Sequence, residues 1–260
     1  MVSNKAFEEK VVIVTGGTAG IGAAAALQFA REGAKVVVAA RRKEKGEAMV
    51  RQIEEIGGEG LFVQTDVANK ADIQNMVDAT LAKYGRLDCA VNNAGIGGSV
   101  GVPVADIDEE IWDRVLNVNL RAVWMCMKYE IPAMLKSGKG AIVNVSSIYG
   151  YKPSDVGHAD YCTSKFAVIG LSKSAAVDYG QSNIRVNVVT PGFTHSEMID
   201  PYVESAPELM NTLVRRHSAM NRLGDAEEAA EAIVWLCSDA SRFVNGAVLS
   251  VDGGDTARMY

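Results

Sequence analysis

Seven apolar runs bounded by turn formers punctuate the chain: VVIVT (11–15), KVVVAA (35–40), GLFVQT (60–65), LDCAVNN (87–93), AIVNVSS (141–147), IRVNVVT (184–190) and AVLSVD (247–252). Most are apolar at consecutive rather than alternate positions, the pattern of strands covered on both faces. Every gap between them is long enough for a crossover helix. Strand–helix alternation from first to last predicts an α/β fold with a doubly wound parallel sheet. Residues 1–260 suffice for one such domain, with no linker, repeat or low-complexity stretch to divide it. Residues 191–225 carry no strand pattern. Helices and loop are expected there, over the carboxyl edge of the sheet where such folds bind ligands. One long helix is expected over 108–136. Its stretch AVWMCMKY is apolar around more than one stripe, as is FAVIGL at 166–171. A helix that covers only one face of a sheet exposes polar residues on the other side. The surplus predicts a homo-oligomer, a homotetramer.

Directly after the first strand comes TGGTAGIG, with Gly16, Gly17, Gly20 and Gly22. A glycine-rich strand-to-helix turn lets backbone amides approach a pyrophosphate at a helix N-terminus. Gly16, Thr18, Gly20, Ile21 and Gly22 are therefore candidate dinucleotide contacts. The spacing is not the literal GxGxxG fingerprint, and a turn needed only for backbone geometry stays open. A carboxylate about 20 positions on usually holds the ribose 2′-hydroxyl of NAD. Here the second strand ends VVVAARRK, with Ala39 and Ala40 at that place and Arg41 and Arg42 after them. Two guanidinium groups suit a 2′-phosphate, so NADP(H) is expected over NAD(H), although Ala19 leaves the glycine turn without a basic residue and Glu44 lies close by.

The formal net charge of −6 argues against a nucleic-acid binder and favours a small-molecule substrate. Cys89, Cys126, Cys162 and Cys237 form no CxxC pair, and His158, His195 and His217 are too few and scattered for a zinc site. No metal is expected, and the cysteines read as buried free thiols in a reducing compartment. The opening MVSNKAFEEKVVIVTGG has a four-residue apolar run, too short for a signal peptide or membrane span, so a cytoplasmic location is expected.

TGGTAGIG, NNAG (92–95), Asn119 in NVNL, NVSS (144–147), YCTSK (161–165) and PG (191–192) stand in the order and approximate spacing of the short-chain dehydrogenase/reductases. The chain resembles that family over nearly its whole length, to the closing GAVLSVDGG. The resemblance implies a single Rossmann-like domain with a seven-stranded sheet, hydride transfer with a nicotinamide cofactor, and usually a tetramer. It further implies that Asp66, with Val67 beside it, contacts the adenine. Asn92, Ala94 and Gly95 then form a turn along the adenosine ribose, or tie the central strands together, or both. Pro191 and Gly192 open the loop after the sixth strand, and either Thr194 or Ser196 is left to bind the nicotinamide carboxamide.

Tyr161 and Lys165, at i and i+4, share one helix face. A free phenol titrates near 10. A positive charge ~4 Å away at an effective dielectric of ~20 contributes about 4 kcal/mol, about three pKa units. That brings the phenol towards neutrality, where general acid–base catalysis works best. The resemblance makes Tyr161 the acid–base, Lys165 its tuner and a ligand of the nicotinamide ribose, and Ser147 the donor to the substrate oxygen, ahead of Ser146. Asn119 is implied to hold a water that links Lys165 to solvent. Ser147 and Tyr161 are one residue further apart than the commonest family spacing.

The expected reaction interconverts a secondary alcohol and a ketone. Tyr149, Tyr151, Phe193, Met198, Tyr202 and Met210 suit a medium-sized hydrophobic or cyclic substrate, with His158 and His195 as possible contacts. A 3-oxoacyl thioester reductase, using Arg215, Arg216 and Arg222 to dock an acidic carrier protein, and a sugar dehydrogenase are the alternatives among enzymes. A dinucleotide-sensing regulator is the alternative outside them.

Overall fold

The structure is a computed structural model that describes residues 5–258. Its frame is seven parallel strands: β1 (Val11–Thr15), β2 (Lys35–Ala40), β3 (Glu59–Gln64), β4 (Cys89–Asn92), β5 (Gly140–Val145), β6 (Ile184–Pro191) and β7 (Val248–Val251). They lie in the order β3-β2-β1-β4-β5-β6-β7. All seven predicted strands are present. β4 is shorter at both ends than its apolar run, because Leu87 and Asp88 precede the ladder and Asn93 leaves it to enter the site.

Both faces of β1 are buried, which is why it shows no polar alternation. Val12 and Val14 point into one core layer, with Phe29 of α1 (Gly20–Arg31), Ile53 of α2 (Lys43–Glu55) and Ile233 of α9 (Ala226–Cys237). Val11 and Ile13 point into the other, with Met76 of α3 (Lys70–Tyr84), Met134 of α5 (Ala122–Ser137) and Val168 of α6 (Ala159–Tyr179). The winding direction reverses between β1 and β4, which pair side by side with Thr15 opposite Asn92. A crevice opens at such a switch point, at the carboxyl ends of the strands.

The helix expected over 108–136 is two helices, α4 (Glu109–Leu116) and α5, joined by a π-helical turn over Asn117–Arg121. The turn inserts an extra residue and directs Asn119 inward. The segment 191–225 carries two short helices, α7 (Asp200–Ser205) and α8 (Pro207–His217), as expected. Among the described residues no helix is long and apolar enough to cross a membrane, and no cluster of three His, Cys, Asp or Glu side chains is placed to hold a metal ion.

Candidate active site

β5 ends at Val145, and the two serines that follow diverge. Ser146 is buried and donates to the Lys165 carbonyl at 2.8 Å, pinning the middle of α6 against the sheet. Ser147 caps a short 3₁₀ turn, Ile148–Gly150, accepting from the Tyr149 amide at 3.2 Å, and its hydroxyl is close enough to the Tyr161 phenol to act on its pKa. The expected choice of Ser147 over Ser146 has this geometric counterpart. The loop from Tyr151 joins the 3₁₀ turn to α6. It turns at Gly157, in the left-handed region at φ 65°, where a Cβ would stand 2.8 Å from the Val102 carbonyl oxygen.

Lys165 lies one turn after Tyr161. Its ammonium donates to the Val145 carbonyl at 3.0 Å and stands 5.5 Å from the centre of the Tyr161 ring. Asn119 reaches the same spot from the π-turn. Its Oδ1 accepts from the Ile96 amide at 2.8 Å, and its Nδ2 donates to the Ile96 carbonyl at 2.9 Å and the Ser164 hydroxyl at 3.3 Å. Gly95 lies between the two: a Cβ there would stand 3.3 Å from Asn119 Oδ1 and 3.6 Å from Lys165 Nζ.

The electrostatics differ from the arithmetic of an isolated pair. Burial pushes the Tyr161 phenol up to about 12, against a lowering contribution from its bond to Ser147. Burial also lowers Lys165 to about 8. The ammonium faces a carbonyl and the face of the ring, so in this state desolvation outweighs its attraction for a phenolate.

Beside this cluster stands the glycine turn. Gly16 adopts φ 66° and Gly20 φ 50°. A Cβ on Gly22 would lie 2.4 Å from the Gly16 carbonyl oxygen, so α1 packs on the turn only without one. Thr15 Oγ1 accepts from the Asn93 and Ala94 amides at 3.0 and 3.2 Å, and Asn93 Nδ2 donates to the Thr15 carbonyl at 3.0 Å. These bonds join the turn after β1 to the turn after β4. The N-terminus of α1 has no side-chain cap, with Ala19 at the N-cap, and no acidic residue in its first turn. Its amides are left for an anion, so the residues present fit a dinucleotide pyrophosphate.

A family model described as enoyl-(acyl carrier protein) reductase matches residues 16–256. The A-factor type gamma-butyrolactone 1′-reductase (1S-forming) of Streptomyces virginiae is 40% identical over 249 residues, 95% of this chain and 96% of that protein. The cis-4-hydroxycyclohexanecarboxylate dehydrogenase of Sinomonas cyclohexanicum is 40% identical over 253 residues, 97% of this chain and 99% of that one. The crystal structure of a short-chain type dehydrogenase/reductase from Mycobacterium marinum superposes with a TM-score of 0.92 at 31% identity, covering 99% of both chains. The chain belongs to the short-chain dehydrogenase/reductase family. It is an NAD(P)-dependent oxidoreductase acting on CH–OH groups.

Other sequence-based candidates of this short-chain dehydrogenase/reductase are dispersed around the crevice. Asn92 is buried with its side chain turned into the core, where Nδ2 donates to Glu130 at 3.1 Å and Asn144 at 3.0 Å. It ties strands together, and the second asparagine of the motif, Asn93, braces the glycine turn. Asp66 lies two residues beyond β3 and accepts from the Ala68 amide at 3.0 Å, while Val67 packs on the core. Arg42 pairs with Glu197 at 2.7 Å, whereas the exposed side chain of Arg41 makes no ion pair among the described residues. At the end of β6, a Cβ on Gly192 would lie 2.8 Å from Asp252 Cα. The Thr194 hydroxyl donates to the Gly192 carbonyl at 3.1 Å, and Ser196 rests on the glycine turn.

Of the two histidines singled out, His158 stacks on Tyr161 with centroids 4.7 Å apart and accepts from the Gly98 amide at 3.2 Å. His195 instead pairs with Asp200 at 2.8 Å on an exposed loop. An open groove of about 760 Å³ runs along α6 past Cys162, Thr163, Phe166 and Ala167. Those positions lie on the side of the helix opposite Tyr161 and Lys165, and His158, which stacks on Tyr161, also lines the groove. Asn93 and Ser164 had no sequence signal beyond their neighbours in the motifs.

Proposed function

We propose that this enzyme interconverts a secondary alcohol and a ketone with NADP(H) in preference to NAD(H), on a medium-sized hydrophobic or cyclic substrate. The observation that carries the catalytic assignment is the convergence of Ser147, Tyr161, Lys165 and Asn119 beside the glycine turn. In the direction of reduction, the Tyr161 hydroxyl gives its proton to the substrate oxygen. Ser147 donates a hydrogen bond to that oxygen as charge grows on it, a contribution typically worth about 10²–10³ in rate. Lys165 carries the positive charge that favours the phenolate left behind, and Asn119 holds the route by which the proton is restored. Bound nicotinamide supplies or takes up the hydride. Gly16, Thr18, Gly20, Ile21 and Gly22 would receive the pyrophosphate, Asp66 and Val67 the adenine, and Ala94 and Gly95 the ribose. Arg41 and Arg42 would receive the 2′-phosphate.

Ring contacts support the substrate class. His217, Phe193, Tyr149, His158 and Tyr161 form a continuous chain, with successive centroids 5.5, 6.3, 6.1 and 4.7 Å apart. An aromatic wall ending on the proton donor suits a flat or cyclic carbonyl compound, and the two relatives carry ring compounds in their names. Carrier-protein docking is disfavoured because Arg216 is paired with Asp155 and Arg222 with Glu228. Exposed Trp124, Phe166 and Val177 on α5 and α6 support a homotetramer, and a cytoplasmic location agrees with buried free thiols.

A panel of cyclic ketones and alcohols, run with both cofactors and followed at the nicotinamide absorbance, tests the reading. Tyr161→Phe is expected to lose about 10²–10⁴-fold in turnover while nucleotide binding is kept. Undiminished turnover in that variant would remove the catalytic assignment. A monomeric mass by light scattering at micromolar concentration would remove the tetramer.

A further inference from the structure

The loop after β6 crosses the cofactor crevice as a strap. It is anchored at its base, where the His195 amide donates to the Gly224 carbonyl at 3.0 Å and the Gly224 amide to the Phe193 carbonyl at 2.9 Å. Its middle lies on the glycine turn: a Cβ on Gly20 would stand 3.1 Å from that of Ser196. The next residue, Glu197, then reaches the start of α2. One carboxylate oxygen takes Arg42 at 2.7 Å, and the other takes Lys45. Among the described residues the strap makes no other ion pair, apart from the internal pair of His195 with Asp200.

Arg42 follows the second strand where the adenosine ribose would end, and Lys45 is one turn of helix further on. Two cations converging from one helix start onto an anion is the arrangement a phosphate monoester would take, with more oxygens and about twice the charge of a carboxylate. We propose that Glu197 is a specificity-determining residue: it occupies Arg42 and Lys45 in the nucleotide-free protein and competes with a 2′-phosphate for them. Lys45 thereby joins Arg42 as a 2′-phosphate ligand. This rests on the dinucleotide reading above.

The partners are each about half exposed, 47% for Arg42 and 49% for both Lys45 and Glu197. Such ion pairs are individually weak and readily exchanged. A displaceable competitor needs that weakness. Both cations hold the Glu197 carboxyl below its usual range, so it is ionised and competes at neutral pH. A nucleotide without a 2′-phosphate leaves the carboxylate in place; one with it must displace the carboxylate.

The test is calorimetric titration of the protein with adenosine 2′,5′-bisphosphate and with adenosine 5′-monophosphate at low ionic strength, where screening is weakest. Glu197→Gln is expected to tighten the bisphosphate about three- to tenfold, the range two half-exposed ion pairs supply, and to move the monophosphate less than about twofold. Lys45→Ala should loosen the bisphosphate alone. Equal or weaker bisphosphate binding by Glu197→Gln overturns the proposal. If neither nucleotide binds to the unaltered protein or the variant, the dinucleotide reading falls and the proposal with it. If both bind and the Lys45 and Glu197 substitutions change nothing, only the proposal falls.

Discussion

Replacing Glu130 by Gln should stabilise the protein, and only above mildly acidic pH. Glu130 is fully buried on α5, holding Asn92 Nδ2 at 3.1 Å with one carboxylate oxygen while the other has no hydrogen-bond partner among the described residues. Burial raises it from its ordinary 4.5 to about 7. Below pH 4.5 it is protonated in both the folded and unfolded chain and contributes no difference. Between 4.5 and about 7 the unfolded chain releases the proton while the fold retains it, so stability falls as pH rises. At about 1.4 kcal/mol per pH unit the loss reaches about 3 kcal/mol. Glutamine keeps an acceptor for Asn92 and has no proton to lose. For a chain of this size, about 3 kcal/mol corresponds to about 6 °C in melting temperature. Melting curves of the two proteins, at equal concentration and scan rate from pH 4.5 to 8, should nearly coincide at the acid end and separate by that amount at the alkaline end. A separation that does not change with pH would refute the reasoning, because it would mean Glu130 is already ionised in the fold or is reached by water.

The two serines after β5 should part company. Ser147→Ala is expected to lower kcat by about 10²–10³ with the melting temperature kept, whereas Ser146→Ala loses the bond to the Lys165 carbonyl and costs about 1 kcal/mol of stability with most of kcat kept. Steady-state kinetics and melting on both variants check this. Lys165, lowered to about 8 by burial, is charged below that pH and neutral above it. The pH profile of kcat/KM, which reports the free enzyme, should therefore decline above about pH 8, and Lys165→Arg should move that decline upward by more than about one pH unit.

Local sequence carried much of this architecture. VVIVT, KVVVAA and IRVNVVT are strands within a residue of the apolar runs, because a doubly covered parallel strand admits almost nothing else. The triad of Ser147, Tyr161 and Lys165 was legible from motif order, and the fold brings the three together. The π-turn at Asn119 was not: with apolar residues on both sides, an inserted position leaves no gap in the pattern. Asn92 is a candidate through its place in NNAG, where a ribose turn and a tie between the central strands are both open, and the sequence alone does not show what its side chain reaches. Its partners Glu130 and Asn144 lie 38 and 52 positions away. Glu197 and Arg42 are 155 positions apart, and no periodicity links a loop to a helix start. Weighing the pair of charges alone leaves out burial, which raises the Tyr161 phenol.

The turn over Asn117–Arg121 constrains how this chain can be edited. Deleting one residue there would regularise the helix, a change that a stability-minded engineer would favour. The turns on either side would keep their facing, because the wide turn takes up the extra residue, but Asn119 would lose the inward aim that brings its amide to Ile96 and Ser164. Met125, Met134 and Glu130 of α5 would stay packed while the amide beside Lys165 is lost. The extra residue serves the amide and not the core, so a chain shortened by one here should still fold while its site is impaired.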